Sequence, residues 1–129
     1  MEILGTGVDI IEVARVRRAL ERAATGRRFR ARVFTDREVA YCESRGRSRY
    51  QSYAARFAAK EAAMKALGTG WNRHVGWHEI EVTRERGRAP QLVLSGKAAE
   101  FARRRQVRRL HLSLTHSAEQ AIAQVIAEG

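Results

Sequence analysis

Two carboxylates, Asp9 and Glu61, and one ammonium, Lys65, are the side chains whose types and spacing best suit them to chemistry. Asp9 follows Gly5-Thr6-Gly7-Val8, whose glycines leave room for a ligand or another backbone beside the carboxylate. Glu61 and Lys65 lie one turn apart in a helix-forming stretch, so they share a face, with Phe57 on the same side. The simplest account of such a pair is a surface ion pair. Here, however, the flanking Ala58, Ala59, Ala62 and Ala63 are small, which suggests a closely packed helix that leaves Glu61 and Lys65 facing a cleft. Two carboxylates from separate elements, completed by phosphate oxygens and water, suit Mg²⁺, which prefers octahedral oxygen coordination and takes one or two protein carboxylates. An ion held this way neutralises a diphosphate and polarises phosphorus for attack. Gly68-Thr69-Gly70 offers backbone N–H groups to a phosphate, although a helix stop explains Gly68 equally well. His116 closes His111-Leu112-Ser113-Leu114-Thr115 at a strand end. A lone histidine is more often structural than catalytic, but His111, Ser113 and Thr115 share a polar face that could border a site.

The elements that must position these residues follow from hydrophobic periodicity. Residues 2–8 read as a strand that Asp9 closes. Val13, Val16, Leu20 and Ala24 recur at helical spacing over 12–24, and a short helical turn is expected over 29–34. Thr35 with Glu38 three residues on is a capping-box pattern that starts a helix at Asp36. The clearest helix spans 49–67, with Tyr50, Tyr53, Phe57, Met64 and Leu67 at helical spacings and Gly68 as its stop. Strands at 78–83 and 91–94 flank turn residues and form a hairpin. Ser95 can cap a helix running to about 105, and strands over 110–115 and 121–127 complete the chain. This order lacks a regular βαβ alternation, and so predicts one α+β domain over 1–129 with a mostly antiparallel sheet.

Composition narrows the function classes. The 129 residues are 44% hydrophobic, enough for an ordinary core. No apolar run reaches the roughly 20 residues of a membrane span, and MEILGTGVDI lacks the regions of a signal peptide, so a soluble cytoplasmic protein is expected. Cys42 is the only cysteine, which rules out an intrachain disulfide and a thiolate zinc site. Lys and Arg number 25 against 14 acids, a net charge of +11 that attracts polyanions. The basic residues cluster around 15–22, 27–32, 45–49 and 103–109. Only three are lysines, and Lys60 and Lys65 fall in one helix, where a compact ammonium suits a single phosphate oxygen.

Three readings compete on these residues. A nucleic-acid-binding module accounts for the charge, but no aromatic-basic stacking pattern or known binding motif accompanies it. A metal-dependent phosphoesterase accounts for the carboxylates and His111-x-Ser113, but lacks the usual cluster of histidines or carboxylates. The third rests on a resemblance. Gly5-x-Gly7-x-Asp9-Ile10, Phe34-Thr35-x-x-Glu38, the run Arg56-Phe57-Ala58-Ala59-Lys60-Glu61-Ala62-x-x-Lys65-Ala66-Leu67-Gly68-Thr69-Gly70, Gly87-x-x-Pro90 and Leu112-Ser113-Leu114-Thr115-His116 together resemble the 4′-phosphopantetheinyl transferases of the holo-[acyl-carrier-protein] synthase type. The match runs in order over essentially the whole chain.

The resemblance implies that family's α+β fold and a homotrimer with sites at subunit contacts. It implies coenzyme A with its diphosphate on Mg²⁺, the metal held by Asp9 and Glu61, and a serine of an apo acyl carrier protein attacking the β-phosphorus. Lys65 would steady a phosphate oxygen or the leaving group, and Arg56, Gly68, Gly70 and His116 would lie in the coenzyme A pocket. Acyl carrier proteins are strongly acidic, so Arg15, Arg18 and Arg22 on the first helix would steer them, placing that helix beside the metal. Lys60, one residue before Glu61, points off the shared face toward packing or a neighbouring subunit.

Overall fold

The computed structural model describes residues 2–69 and 75–129. In chain order the elements are β1 (Ile3–Glu12), α1 (Val13–Glu21), α2 (Gly26–Val33), α3 (Asp36–Glu43), α4 (Arg49–Leu67), β2 (Ile80–Thr83), β3 (Gln91–Leu94), α5 (Gly96–Arg104), β4 (Arg109–His116) and β5 (Gln120–Glu128). Short 3₁₀ turns at Gly46–Ser48 and Trp77–Glu79 precede α4 and β2. β5 lies between β1 and β4 in a three-stranded sheet, β2 and β3 form a separate hairpin, and every pairing is antiparallel. This is the α+β architecture expected from the sequence.

Alternation along the strands sorts the sheet's two faces. Gly7 and Ile11 of β1 are buried, as are Ala121, Ala123, Val125 and Ala127 of β5, and these residues face α4. Ala54, Ala55, Ala58, Ala59, Ala62, Ala63 and Ala66 bury nearly every side of that helix, as expected of a helix that runs through a core. The contact between β1 and α4 is backbone on backbone. A Cβ placed on Gly5 would run into the Ala66 carbonyl, and one on Gly7 into the Ala62 carbonyl. Only glycine permits that approach.

Some boundaries differ from the sequence-based expectation, for local reasons. β1 continues past residue 8 because β5 pairs with it as far as Glu12↔Gln120, and Val13 N–H still reaches the Glu119 carbonyl at 2.8 Å. Asp9 therefore sits inside the strand rather than at its end. The helix expected over 12–24 stops at Glu21, and α2 begins earlier than expected, at Gly26, whose Cα packs against the Leu20 carbonyl. His78 lies in a 3₁₀ turn rather than a strand, with its Nε2 2.6 Å from the Ala31 carbonyl. Ser95 precedes α5, but its side chain makes no cap bond. The Glu79 carboxylate accepts the Lys97 N–H at 2.7 Å instead.

On the side of α4 away from β1 the contact is polar. The Thr35–Glu38 capping box forms as expected, and Glu38 then does more than cap. Its carboxylate accepts Thr35 N–H at 2.9 Å and Val82 N–H at 2.7 Å, and takes the Lys60 ammonium at 2.8 Å. Lys60 also donates to the Trp77 and Ile80 carbonyls at 2.9 and 2.6 Å, so its three N–H groups are all satisfied. Both side chains are 0% exposed. Burial pulls the Lys60 ammonium below its ordinary pKa, and the Glu38 charge opposes that shift. The packing role expected of Lys60 is thus that of a charged tie between α4, α3 and β2.

Replacing Gly7 by Ala tests the backbone contact. Overpacking against a carbonyl that cannot swing away should cost about 2–4 kcal/mol, read as a lower urea midpoint at unchanged m-value. A loss within about 0.5 kcal/mol would show that β1 and α4 can separate freely.

Candidate active site

Strand parity turns the Asp9 side chain, like Gly5 and Gly7, toward α4, and the glycine contact brings it beside that helix's exposed turn. Lys65 Nζ lies 3.2 Å from Asp9 Oδ1 and donates to the Val8 carbonyl at 3.0 Å. Asp9 is 17% exposed and Lys65 52%, so the pair lies at the floor and rim of an open site. Glu61, one turn before Lys65, is half-buried. Its carboxyl pKa is raised, first by burial and then by the Asp9 charge, while Lys65 and Arg15 oppose the shift. The four side chains therefore act on one another: two carboxylates close enough to repel, and two cations at the edge.

The donor set fits a divalent metal of the hard type. Both candidate ligands are carboxylates from different elements, and ionising Glu61 beside Asp9 carries a cost that a shared cation would remove. Among the described residues no group of three or more His, Cys, Asp or Glu side chains is gathered. An ion here would draw the rest of its shell from substrate and water, as Mg²⁺ commonly does. Asp9 and Glu61 are the residues that would hold it, with Lys65 already 3.2 Å from Asp9 Oδ1.

The other expected site residues are placed variously. Gly68 ends α4 with φ +81°, and its N–H, like that of Thr69, donates to the Met64 carbonyl, at 2.8 and 3.1 Å. These two amides are committed to the helix end rather than free for a phosphate, which corrects that expectation; Gly70 lies outside the described residues. Arg56 shares the Lys60 side of α4, is 4% exposed, and stacks on Tyr41 at 4.0 Å. Its Nε has no hydrogen-bond partner among the described residues. His116 is exposed at the end of β4, across β5 from Ile11. His111 lies on the sheet face away from α4, its Nε2 2.6 Å from Glu128 Oε1. Arg15, Arg18 and Arg22 are exposed along α1 and its end, and Arg15 bears on Glu61 as expected of a helix beside the site.

Sequence reasoning missed a second basic feature. Tyr41, Arg45, Arg84, Glu85, Arg86 and Gly87 line a cavity of about 330 Å³ between α3 and the β2–β3 loop. Arg45 and Arg56 both lie over the Tyr41 ring, at 5.8 and 4.0 Å. Three guanidinium groups on the lining, Arg45, Arg84 and Arg86, with Arg56 buried behind Tyr41, suit a phosphate-bearing ligand. Only tertiary structure brings residues 41–45 to residues 84–87, so no local motif announced it.

Comparison with known proteins places the chain in a family. Residues 5–125 match the model of the 4′-phosphopantetheinyl transferase superfamily. A holo-[acyl-carrier-protein] synthase of Anaeromyxobacter sp. (strain K) is 54% identical over 128 residues, covering 98% of this chain and 97% of its own. The crystal structure of the Neisseria meningitidis holo-[acyl-carrier-protein] synthase superposes with a TM-score of 0.89 at 28% identity, over 99% of this chain and 100% of that one. A Bacillus anthracis holo-(acyl-carrier-protein) synthase, solved in complex with CoA (3′,5′-ADP), superposes at 0.80 with 35% identity, over 98% and 97%.

The raised Glu61 pKa predicts a trade between stability and function. In metal-free buffer at pH 7, Glu61→Gln should raise the melting temperature by roughly 1–4 °C, because it removes an ionised group that burial and Asp9 disfavour. The gain should vanish below the ordinary carboxylate pKa, where Glu61 is protonated folded and unfolded, and open as pH rises toward the raised value. A lower melting temperature at pH 7 would contradict the electrostatic account of the site.

Proposed function

The chain belongs to the 4′-phosphopantetheinyl transferase superfamily as a holo-[acyl-carrier-protein] synthase, and we propose that Asp9 and Glu61 hold a magnesium ion against the diphosphate of coenzyme A while phosphopantetheine passes to a serine of an apo acyl carrier protein. The observation that supports this most is the glycine-mediated contact of β1 with α4, which sets Asp9 beside Lys65 and within electrostatic reach of Glu61. When bound, the ion neutralises the diphosphate and polarises its phosphorus.

The chain's own side chains supply the rest. Lys65, at the rim, exchanges its contact with Asp9 for a phosphate oxygen and steadies the leaving group. The Glu61 carboxylate, beside Asp9 at the site, takes the proton of the attacking serine. A bond forms between the serine oxygen and the β-phosphorus as the bond to the leaving group breaks, releasing adenosine 3′,5′-bisphosphate. Positioning and charge do the work, without covalent protein chemistry. The arginine-lined cavity beside Arg56 holds further phosphate of coenzyme A, and His116 borders the pocket.

Arg15, Arg18 and Arg22 recur at helical spacing and steer the acidic carrier protein to the site. The outer sheet face carries Val8 and Ile10, 49% and 58% exposed, which suits contact between copies in a homotrimer. No described helix is long and apolar enough to cross a membrane. A cytoplasmic role in fatty acid biosynthesis follows from the carrier substrate, and the basic surface serves that carrier rather than nucleic acid.

Mass spectrometry of apo acyl carrier protein incubated with enzyme, coenzyme A and Mg²⁺ should show a phosphopantetheine mass gain, made by a species that sediments as a trimer. EDTA, Asp9→Ala or Glu61→Ala should remove it. Hydrolysis of coenzyme A without carrier would favour a phosphoesterase instead. Reversing Arg15 and Arg22 to Glu should raise KM for the carrier at least about tenfold and flatten its salt dependence; an unchanged KM would sink the steering role.

A further inference from the structure

The reaction just described leaves one buried charged pair without a task. Lys60 and Glu38 are 0% exposed and 2.8 Å apart, in a core otherwise built largely of alanine and aliphatic side chains. Burying two charges is expensive, and an apolar pair of similar volume often stabilises a fold as well. What an apolar pair would not do is fix three backbone segments at once. Glu38 fixes the start of α3 through Thr35 N–H and the register of β2 through Val82 N–H, while Lys60 ties α4 to the turn at Trp77 and to Ile80.

Those segments lead directly to the walls of the arginine-lined cavity. Tyr41 lies three residues after Glu38 on α3, so it follows that residue by one helical turn. Arg84 lies two residues after Val82, just past the end of β2. Arg56 precedes Lys60 by one turn of α4 on the same face, and stacks on Tyr41 at 4.0 Å. Each wall is thus about one turn, or two residues, from an atom bonded within the pair. Thr35 Oγ1 adds a bond of 2.6 Å to Glu81, and Arg37 lies 3.9 Å from the same carboxylate, on the same seam. The Nε of Arg56, buried beside this seam and without a hydrogen-bond partner among the described residues, marks where hydrogen-bonding capacity remains for a ligand.

We propose that Lys60 and Glu38 are positioning residues for coenzyme A, acting through the cavity walls: the buried pair sets the separation between Tyr41–Arg45 and Arg84–Arg86, and so the grip of the arginines on the ligand's phosphate. The proposal rests on coenzyme A being the ligand of that cavity. It separates two tasks on adjacent residues of α4. Glu61 serves the reacting diphosphate on the β1 side, and Lys60 serves ligand affinity on the α3 side.

Steady-state kinetics with Glu38→Gln test it, since glutamine keeps the volume and one acceptor but loses the charge that locks Lys60. KM for coenzyme A should rise tenfold or more, while kcat at saturating coenzyme A and KM for the carrier change less than about threefold. A folded variant whose kcat falls with KM for coenzyme A unchanged would overturn the proposal, since that is the signature of a merely structural role. A second measurement needs no variant. In the wild-type protein, coenzyme A should increase hydrogen-exchange protection at the Thr35 and Val82 amides, both bonded to Glu38, because coupling between sites is reciprocal. Unchanged protection at saturating coenzyme A would likewise overturn it. Arg84→Ala with Arg86→Ala separates the two levels of the argument. If that double variant leaves KM for coenzyme A unchanged, the cavity is not part of the coenzyme A site and the proposal falls with that reading. If it raises KM while Glu38→Gln does not, the positioning role alone is wrong.

Discussion

The structure depends on a contact from which side chains are excluded. Gly5 and Gly7 let β1 lie directly on the backbone of α4 at Ala62 and Ala66. Because Asp9 is two residues beyond Gly7 on the same face, and Glu61 and Lys65 flank Ala62 on the helix, the same contact that packs the core assembles the site. A larger residue at either glycine would push the strand outward and carry Asp9 away with it. Packing and function cannot be varied separately here, and the alanine content of α4 follows from the same requirement. The small side chains keep the helix close to the sheet on every side it buries.

Across α4 the physics reverses. There the helix is held by a desolvated ion pair whose donors and acceptors are all satisfied, the condition under which a buried polar network rigidifies a fold rather than weakening it. Neighbouring residues of one helix thereby meet opposite environments. Lys60 is fully enclosed and matched by Glu38, whereas Glu61 is half-buried beside a like charge. The first arrangement fixes the relative placement of its segments, and the second stores an electrostatic cost that a divalent cation would relieve. Sites tuned for ligands commonly carry such a cost, offset by packing elsewhere.

Much of this was legible in the sequence, where local rules act alone. The limits of α4 over 49–67 and its left-handed stop at Gly68 followed from periodicity and the glycine, and the Thr35–Glu38 box from spacing. The nearness of Asp9 to Lys65 and Glu61 was expected partly from the glycines and alanines and partly from the family resemblance, since the Glu61–Lys65 spacing by itself reads as a surface ion pair. What failed depended on partners distant in sequence. The end of β1 was misplaced because β5, more than 100 residues later, keeps pairing with it. Gly68 and Thr69 looked free because composition cannot show that Met64 takes both amides. Glu38 read as a cap and no more, since Lys60 and Val82 reach it only in the folded chain, and the cavity between Tyr41 and Arg84 was hidden for the same reason.

The central claim is that one metal ion joins Asp9 to the diphosphate of coenzyme A. The chain contains only two aspartates, Asp9 and Asp36, which makes a direct spectroscopic test practicable. With Mn²⁺ in place of Mg²⁺ and [¹³Cγ]-aspartate incorporated biosynthetically, electron–nuclear double resonance should detect couplings to ¹³C of an aspartate carboxylate and to ³¹P of bound coenzyme A in the same species. The ¹³C coupling should disappear in Asp9→Asn and persist in Asp36→Asn. A ³¹P coupling without any ¹³C coupling would mean that the metal rides on coenzyme A without touching Asp9, and would contradict the account at its root.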